Sequence, residues 1–429
     1  MTIEASVTSR ALERALATSR VIDRCQICDG ANLESILFVG FMPPVNTMHD
    51  VGSIAVEEPS YPLELFRCPD CTLVQIGLEV SPEVLFPETY PYLSGTTRLL
   101  RETFADLRTE SRALLNLKKD DLVIDIGSND GTLLAHFAEI GCRVLGIEPS
   151  QAGEVARKSG IDTLHAYFNM KTAREVRQKW GPARLVTAAN VFAHFGGVHA
   201  GVDGILELLG PRGVFVSESH YLLDLVQTLQ YDTIYHEHLR HYSLKSISTL
   251  LEAHGLEVFH VKRIPSHGGS IRVYSARKGE QTILPSVAER MADEDAAGLS
   301  SGAALRDFRN RVVRSKLEFH CLLAPIRARG DRIYGIGAPS RASTLIKYIG
   351  LDDGILDAVM EVSSSHKLNK YIPGTRIPVL DESKLFADQP EFALLLSWHI
   401  AEELATNLRG KGFRGKFIVP LPEPAILEI

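Results

Sequence analysis

Two kinds of apolar pattern alternate through the middle of this chain. Short apolar runs stand at 122–126, 143–147, 184–189, 213–218, 257–262 and 271–276. Longer stretches with helical spacing separate them, for example 151–159 and 201–209. Strands alternating with helices predict a largely parallel sheet covered on both faces. Only a short loop containing Gly268 and Gly269 divides the last two runs, which predicts an antiparallel pair at one edge. The flanks read differently. Residues 20–95 hold many prolines and little helical periodicity, whereas 283–330 are charged, alanine-rich and predicted helical. A second strand, glycine turn and helix open at DRIYGIGAPSRASTLIKYIG, residues 331–350. The segments LDAVMEV, IPGTRIPVL, FALLLSWHI and KGFRGKFIVPL continue that block. The expected fold class is α/β, in three parts. These are an N-terminal arm and module (1–97), a central domain (98–282), and a linker helix with a smaller α/β domain (283–429).

The central domain opens on LVIDIGSNDGTLLAHF (122–137), followed by RVLGIEPS (143–150). This reads as strand, tight turn, helix and second strand. Gly127 and Gly131 let the backbone pass where a Cβ would clash with a ligand. Glu148 ends the second strand, where an acid can accept both hydroxyls of a ribose. The turn lacks the G-x-G of a dinucleotide fingerprint and the Lys-Ser/Thr of a phosphate loop. An acid, Asp125, before G-x-x-x-G resembles the first motif of class I methyltransferases, which use S-adenosylmethionine. The resemblance implies a Rossmann-like central domain. That cofactor carries no phosphate, so the site can tolerate Asp125 and Asp130.

Composition narrows the partners. At 429 residues the chain can hold two or three domains, and 45% hydrophobic content suffices for a core in each. A net charge of −7 provides no broad basic surface, which disfavours nucleic acid. No apolar run approaches a membrane span, so no membrane partner is expected. The opening MTIEASVTSRALERALATSR has no apolar signal core and reads as a short amphipathic helix or a disordered arm. Cytoplasm is the expected compartment.

Six cysteines occur, four of them in two C-x-x-C pairs: Cys25 with Cys28, and Cys68 with Cys71. Two such knuckles can supply four thiolates to one tetrahedral zinc. A four-cysteine site leaves no open position, so the expected zinc is structural. The intervening sequence is acidic and proline-rich, which argues against nucleic-acid binding. Cys142 and Cys321 have no partner motif and are expected in the core.

Two further segments concentrate reactive side chains. NVFAHFGGVH (190–199) places Asn190 and His194 after a strand, at the ligand-binding edge of a parallel sheet. YDTIYHEHLRHYS (231–243) packs Tyr235, His236, Glu237, His238, His241 and Tyr242 into eight positions. H-E-x-x-H is absent, which excludes the zinc-protease reading. Histidine beside carboxylate and tyrosine suits proton transfer near neutral pH.

Taken in order, these motifs identify a resemblance across nearly the whole chain. They are the paired C-x-x-C module, ETYPYLSGTT (88–97), DIGSNDG, NVFAH, YHEHLRHYS, HGGSIRVY (267–274) and GTRIPV (374–379). The chain resembles the sugar C-methyltransferases that act on nucleotide-linked 4-keto-6-deoxy sugars in deoxysugar biosynthesis. The resemblance implies a zinc domain, a central S-adenosylmethionine domain and a C-terminal α/β domain, with the sugar nucleotide between the last two. It implies that His238 is the base that removes a proton beside the ketone, so that carbon 3 takes the methyl through an enolate. Tyr235 and Glu237 would support His238 or bind the sugar, and His194 would sit near the reacting oxygen or hydroxyl. Tyr92, or Tyr90, would close over the sugar. Asp125, Gly127, Asn129 and Asp130 would surround the cofactor, with Glu148 on its ribose and Asn190 at its methionine end. Ser270 and Arg272 are further substrate candidates, although a glycine-rich hairpin also accounts for their segment.

The C-terminal block departs from the family pattern. SRAST replaces a lysine-glycine-asparagine run, with Arg341 in place of the lysine, and the segment before IPGT is altered. Arg341, Lys367 and the Gly335–Gly337 turn could still hold a diphosphate. The departures leave thymidine, guanosine and cytidine carriers open. Two rival readings stand beside this one: an O- or N-methyltransferase, and a non-catalytic binding protein with a methyltransferase fold. Oligomeric state is not legible.

Overall fold

The structure, a computed structural model, describes residues 19–86 and 93–427. The N-terminal helix or arm, Tyr90 and Tyr92 lie outside the described residues. The central sheet has seven strands in the order 163–164, 143–147, 122–126, 183–189, 209–220, 270–277 and 256–264. All run parallel except 270–277, which is antiparallel to both neighbours. The predicted antiparallel pair therefore forms, with 256–264 at one edge of the sheet and 163–164 at the other. The strand at 122–126 is buried at every position, as a strand covered on both faces requires.

Two helices escaped the sequence reading. Arg98–Leu115 is capped by Thr97, whose side chain accepts from Leu100 N, and buries Leu100, Phe104, Leu107 and Leu115. Met170–Trp180 is capped in the same way by Asn169. Both are rich in charged residues, and their apolar stripes are narrow.

The N-terminal module is an antiparallel sheet of Glu34–Met42, Tyr61–Arg67 and Val74–Ile76. Its fourth strand comes from the central domain: Arg240–His241 pairs with Gln75 and Val74. The predicted linker region contains two helices, Pro285–Ala296 and Ala303–Ala328. The first belongs to the central packing, because buried Glu294 accepts from Tyr221 OH at 2.8 Å and from Lys245 N at 3.2 Å. The C-terminal domain is a six-stranded sheet ordered 379–381, 358–361, 333–336, 392–395, 416–419 and 425–427. Its first five strands are parallel and the last is antiparallel.

Cys142 is buried as expected, but Cys321 is exposed. It sits on the Ala303–Ala328 helix, where only one stripe faces the core. Among the described residues, no helix is long and apolar enough to cross a membrane.

Candidate active site

The four predicted zinc ligands converge. The sulfurs of Cys25, Cys28, Cys68 and Cys71 all lie within 4.8 Å of one another. Cys25 to Cys71 is 3.4 Å and Cys28 to Cys68 is 3.5 Å, spacings that suit one tetrahedral ion at about 2.3 Å from each sulfur. Gly30 lies against this cluster, and a Cβ there would meet Asp70 at 2.9 Å and the Cys28 sulfur at 3.4 Å. All four protein positions are filled by thiols, so the zinc is structural.

The residues expected to hold the cofactor gather where the sheet reverses order, between 122–126 and 183–189. Gly127 has φ +70°, and a Cβ there would lie 2.7 Å from Val191. Asp125 is 3% exposed and accepts from Thr187 Oγ1 at 2.6 Å. Burial pushes its carboxyl up to about 8, with Glu148 and Glu218 adding negative charge. Glu148 accepts from Asn129 N at 3.0 Å and from Ser150 N at 2.8 Å. Buried acids at these strand ends suit a cofactor that carries both an ammonium and a sulfonium. Asn190 follows the 183–189 strand with φ +60° and donates its N–H to the Glu218 carbonyl at 2.8 Å.

Asn129 and Asp130 have a second task. Asn129 Oδ1 accepts from Ser94 N at 2.9 Å, and Asp130 Oδ2 accepts from Gly95 N at 2.7 Å. These bonds dock the end of the YPYLSGTT segment onto the cofactor loop. The carboxylate of Asp130 also accepts from Thr132.

The histidine run forms a deeply buried cluster. His238 Nδ1 lies 2.7 Å from the Thr233 carbonyl. A carbonyl only accepts, so Nδ1 carries the hydrogen and Nε2 keeps its lone pair. Burial pushes His238 down to about 4 despite that bond, so the ring is neutral at physiological pH. Around it stand Tyr235 at 4.0 Å, His220 at 4.8 Å and His194 at 5.1 Å between ring centroids. His194 and His220 are likewise held well below the usual histidine range by burial. His267 packs on His220 at 5.5 Å and is pushed down to about 4. His220 and His267 were not singled out from the chain. Each is an isolated histidine in sequence, one ending a strand and one in the glycine hairpin.

The zinc module grips this loop from outside. Ile76 N donates to the Leu239 carbonyl at 3.1 Å, and His236 Nε2 lies 3.3 Å from the Pro62 carbonyl. Gln26, inside the first C-x-x-C, accepts a hydrogen bond from Arg240. Glu237 is 3% exposed and accepts from Asn46 Nδ2 at 2.7 Å. Leu239 N donates to the Ala193 carbonyl at 3.1 Å, joining the loop to NVFAH.

Three of the expected substrate residues point inward and already have protein partners. Ser270 is fully buried and donates to the Ser266 carbonyl at 3.0 Å. Arg272 is also fully buried, paired with Glu218, Asp106 and Glu110 and donating to the Thr103 carbonyl. Strand alternation puts both side chains within the packing. Arg341 forms a bidentate pair with buried Asp232 at 2.7 and 2.8 Å, donates to the His267 carbonyl and Gln230, and lies over the Trp398 ring. Its guanidinium joins the C-terminal domain to the catalytic loop and leaves no fork for a diphosphate. Lys367, half-buried, donates to the Ala338 carbonyl at 2.6 Å beside the Gly335–Gly337 turn.

Comparison with known proteins agrees with this organisation. The chain matches family models for a zinc binding domain (residues 25–86), a methyltransferase domain (97–261) and a C-methyltransferase C-terminal domain (265–422). It is 33% identical over 415 residues to C-methyltransferase NovU of Streptomyces niveus, covering 95% of this chain and 98% of that protein. Solved structures match more remotely. Magnesium protoporphyrin IX methyltransferase of Synechocystis PCC 6803, with bound S-adenosylmethionine, is 15% identical at TM-score 0.33, over 42% of this chain and 79% of that one. The glycopeptide N-methyltransferase MtfA is 13% identical at TM-score 0.31, over 40% and 87%. At those scores neither structure adds to the argument, which rests on the family models and the full-length relative. The chain belongs to the family of S-adenosylmethionine-dependent C-methyltransferases that carry a zinc-binding N-terminal domain.

Proposed function

We propose that this C-methyltransferase methylates carbon 3 of a nucleotide-diphosphate-linked 4-keto-deoxy sugar through an enolate. The observation that carries the reading is the state of His238: neutral, buried, and donating through Nδ1 to the Thr233 carbonyl. That arrangement leaves Nε2 as a proton acceptor. A carbon beside a ketone becomes nucleophilic only after losing a proton, which such an acceptor can take; an O- or N-methyltransferase would also need a base but no ketone, so the position of the new methyl separates the two. S-adenosylmethionine supplies an electrophilic methyl group when bound. Asp125 and Glu148 hold its charged and ribose portions, with Asn190 at the methionine end. His238 takes the carbon-bound proton. Tyr235 and His194 surround the ketone and its developing negative charge. Glu237 contacts a sugar hydroxyl or orients the base. Lys367, rather than Arg341, remains the candidate for the diphosphate. The partner is thus a small sugar nucleotide in the cytoplasm.

The test is methyl transfer to thymidine-, guanosine- and cytidine-linked 4-keto-6-deoxy sugars, with the new methyl located by NMR. A methyl on the carbon beside the ketone supports the reading and names the carrier. A methyl on oxygen or nitrogen, or none on any of them, retracts the enolate. In the same assay His238→Asn should lower turnover by roughly 1000-fold or more while S-adenosylmethionine still binds in calorimetry.

A further inference from the structure

The turn bearing Asn46 belongs to the N-terminal module in sequence but lies where all three domains meet. Thr47 N donates to the Pro44 carbonyl at 3.2 Å and closes the turn. The C-terminal domain grips the residues that follow. Tyr371 N donates to the His49 carbonyl, and Val51 N donates to the Asn369 carbonyl, each at 2.8 Å. Gly374, at φ +68° in the GTRIPV run, presses on Pro43, and a Cβ there would come within 2.9 Å of the proline ring.

Held in this way, the Asn46 amide serves two partners. Its Nδ2 donates to Glu237 Oε1 at 2.7 Å, and its Oδ1 accepts from Ser340 Oγ at 3.1 Å. The two partners set which way the amide faces, with Nδ2 toward the Glu237 carboxyl and Oδ1 toward the Ser340 hydroxyl. Ser340 opens the helix Ser340–Ile349, which also sends Arg341 to Asp232. One side chain thus touches the catalytic loop and the C-terminal domain together.

We propose that Asn46 is a positioning residue that orients the Glu237 carboxylate and, through Ser340, links that orientation to the seating of the C-terminal domain. The inference rests on the enolate reading, in which Glu237 serves the substrate. Alanine at position 46 would remove a donor from a buried carboxylate. Aspartate would set two carboxylates against each other, and such pairs retain a shared proton. Lys367 is the cation whose charge interacts with Glu237 from the C-terminal domain, with Glu361 beside it.

The experiment compares Asn46→Ala, Asn46→Asp and Glu237→Gln in the full-length zinc-loaded protein. Kinetics use thymidine-diphosphate 4-keto-6-deoxyglucose as the probe across neutral and mildly acidic pH, alongside S-adenosylmethionine affinity and melting temperature. Asn46→Ala should lower kcat by roughly 10- to 100-fold, with cofactor affinity and melting temperature near wild type. Asn46→Asp should be slow above neutrality and regain turnover as pH falls towards about 6, where a proton bridges the two acids. His238 remains neutral over that range, being pushed down to about 4 by burial. A purely structural residue would give no such acid rescue. Wild-type turnover in both Asn46 variants, or a pH-independent loss matched by a fall in melting temperature, would overturn the assignment. Full turnover in Glu237→Gln would overturn the role of Glu237 and this inference with it. Loss in Glu237→Gln alongside an unaffected Asn46→Ala would overturn the inference and leave the enolate reading standing.

Discussion

Burial and one carbonyl hold His238 neutral, with Nδ1 as the protonated nitrogen. The imidazole sits among other buried rings, and its Nδ1 hydrogen is committed to Thr233. The sign of the pH dependence follows. Burial depresses the His238 pKa from 6.5 to about 4, so the neutral base is present above that value and is lost as pH falls through it. The acid limb of kcat/KM should therefore lie near 4 to 5, below the value of a free histidine. A limb at 6.5 would show that the ring is solvated and not buried as described. His238, Tyr235 and Glu237 stood out in the sequence because eight consecutive positions concentrate groups suited to proton transfer, and the structure buries all three. His220 and His267 were not, because isolated histidines acquire meaning only when a strand end and a hairpin meet. Arg341 misled for the opposite reason. Its place after a glycine turn suggests an anion, but buried Asp232 and Trp398 occupy its hydrogen bonds and ring face.

The four-stranded N-terminal sheet takes its last strand from the histidine-rich loop, so under the proposed reading the zinc module frames the active site. Gln75 and Val74 pair with Arg240 and His241, and Gln26 accepts from Arg240 within the metal-binding knuckle. Removing zinc by chelation should therefore lower turnover by roughly 100-fold or more, while the central domain keeps its far-ultraviolet circular dichroism. Unchanged turnover in protein shown to be zinc-free by elemental analysis would refute the coupling. A second element-scale prediction concerns the strand Ser270–Arg277. Arg272 is fully buried against Glu218, Asp106 and Glu110, tying that strand to its neighbour and to the Arg98–Leu115 helix. Arg272→Met should cost about 3–5 kcal/mol in urea unfolding, because it leaves Glu218 charged and unpaired in the interior. A loss below about 1 kcal/mol would mean that water reaches Glu218. The six apolar runs were readable as strands because each is a short apolar stretch bounded by longer segments with helical spacing. The edge strand Thr163–Leu164 has only two residues and carries no period to read.

At the scale of the molecule, many buried neutral histidines make the fold acid-sensitive. His236, His238 and His267 are pushed down to about 4, and His241 and His399 to about 3, in each case mainly by burial. In the unfolded chain such groups take up protons near 6.5, whereas the folded chain resists until well below that. Their contribution to stability is complete above about 6.5 and is lost as pH falls towards 4, at roughly 1 kcal/mol per group and pH unit. Thermal unfolding should shift steeply downward between about pH 6.5 and 5, and a flat profile there would contradict the buried cluster. Sequence alone determined the α/β class and the four zinc ligands, and it singled out the glycine turn and the histidine run, because each is written in local spacing: a strand length, a pair of knuckles, a glycine turn, a dense cluster. Tertiary structure alone decided that the N-terminal sheet borrows Arg240–His241, that Asn46 reaches Glu237, and that Arg341 closes a domain contact. Those pairings join residues about one hundred or more positions apart, and nothing in either partner's neighbourhood encodes the other until the core brings them within hydrogen-bond distance.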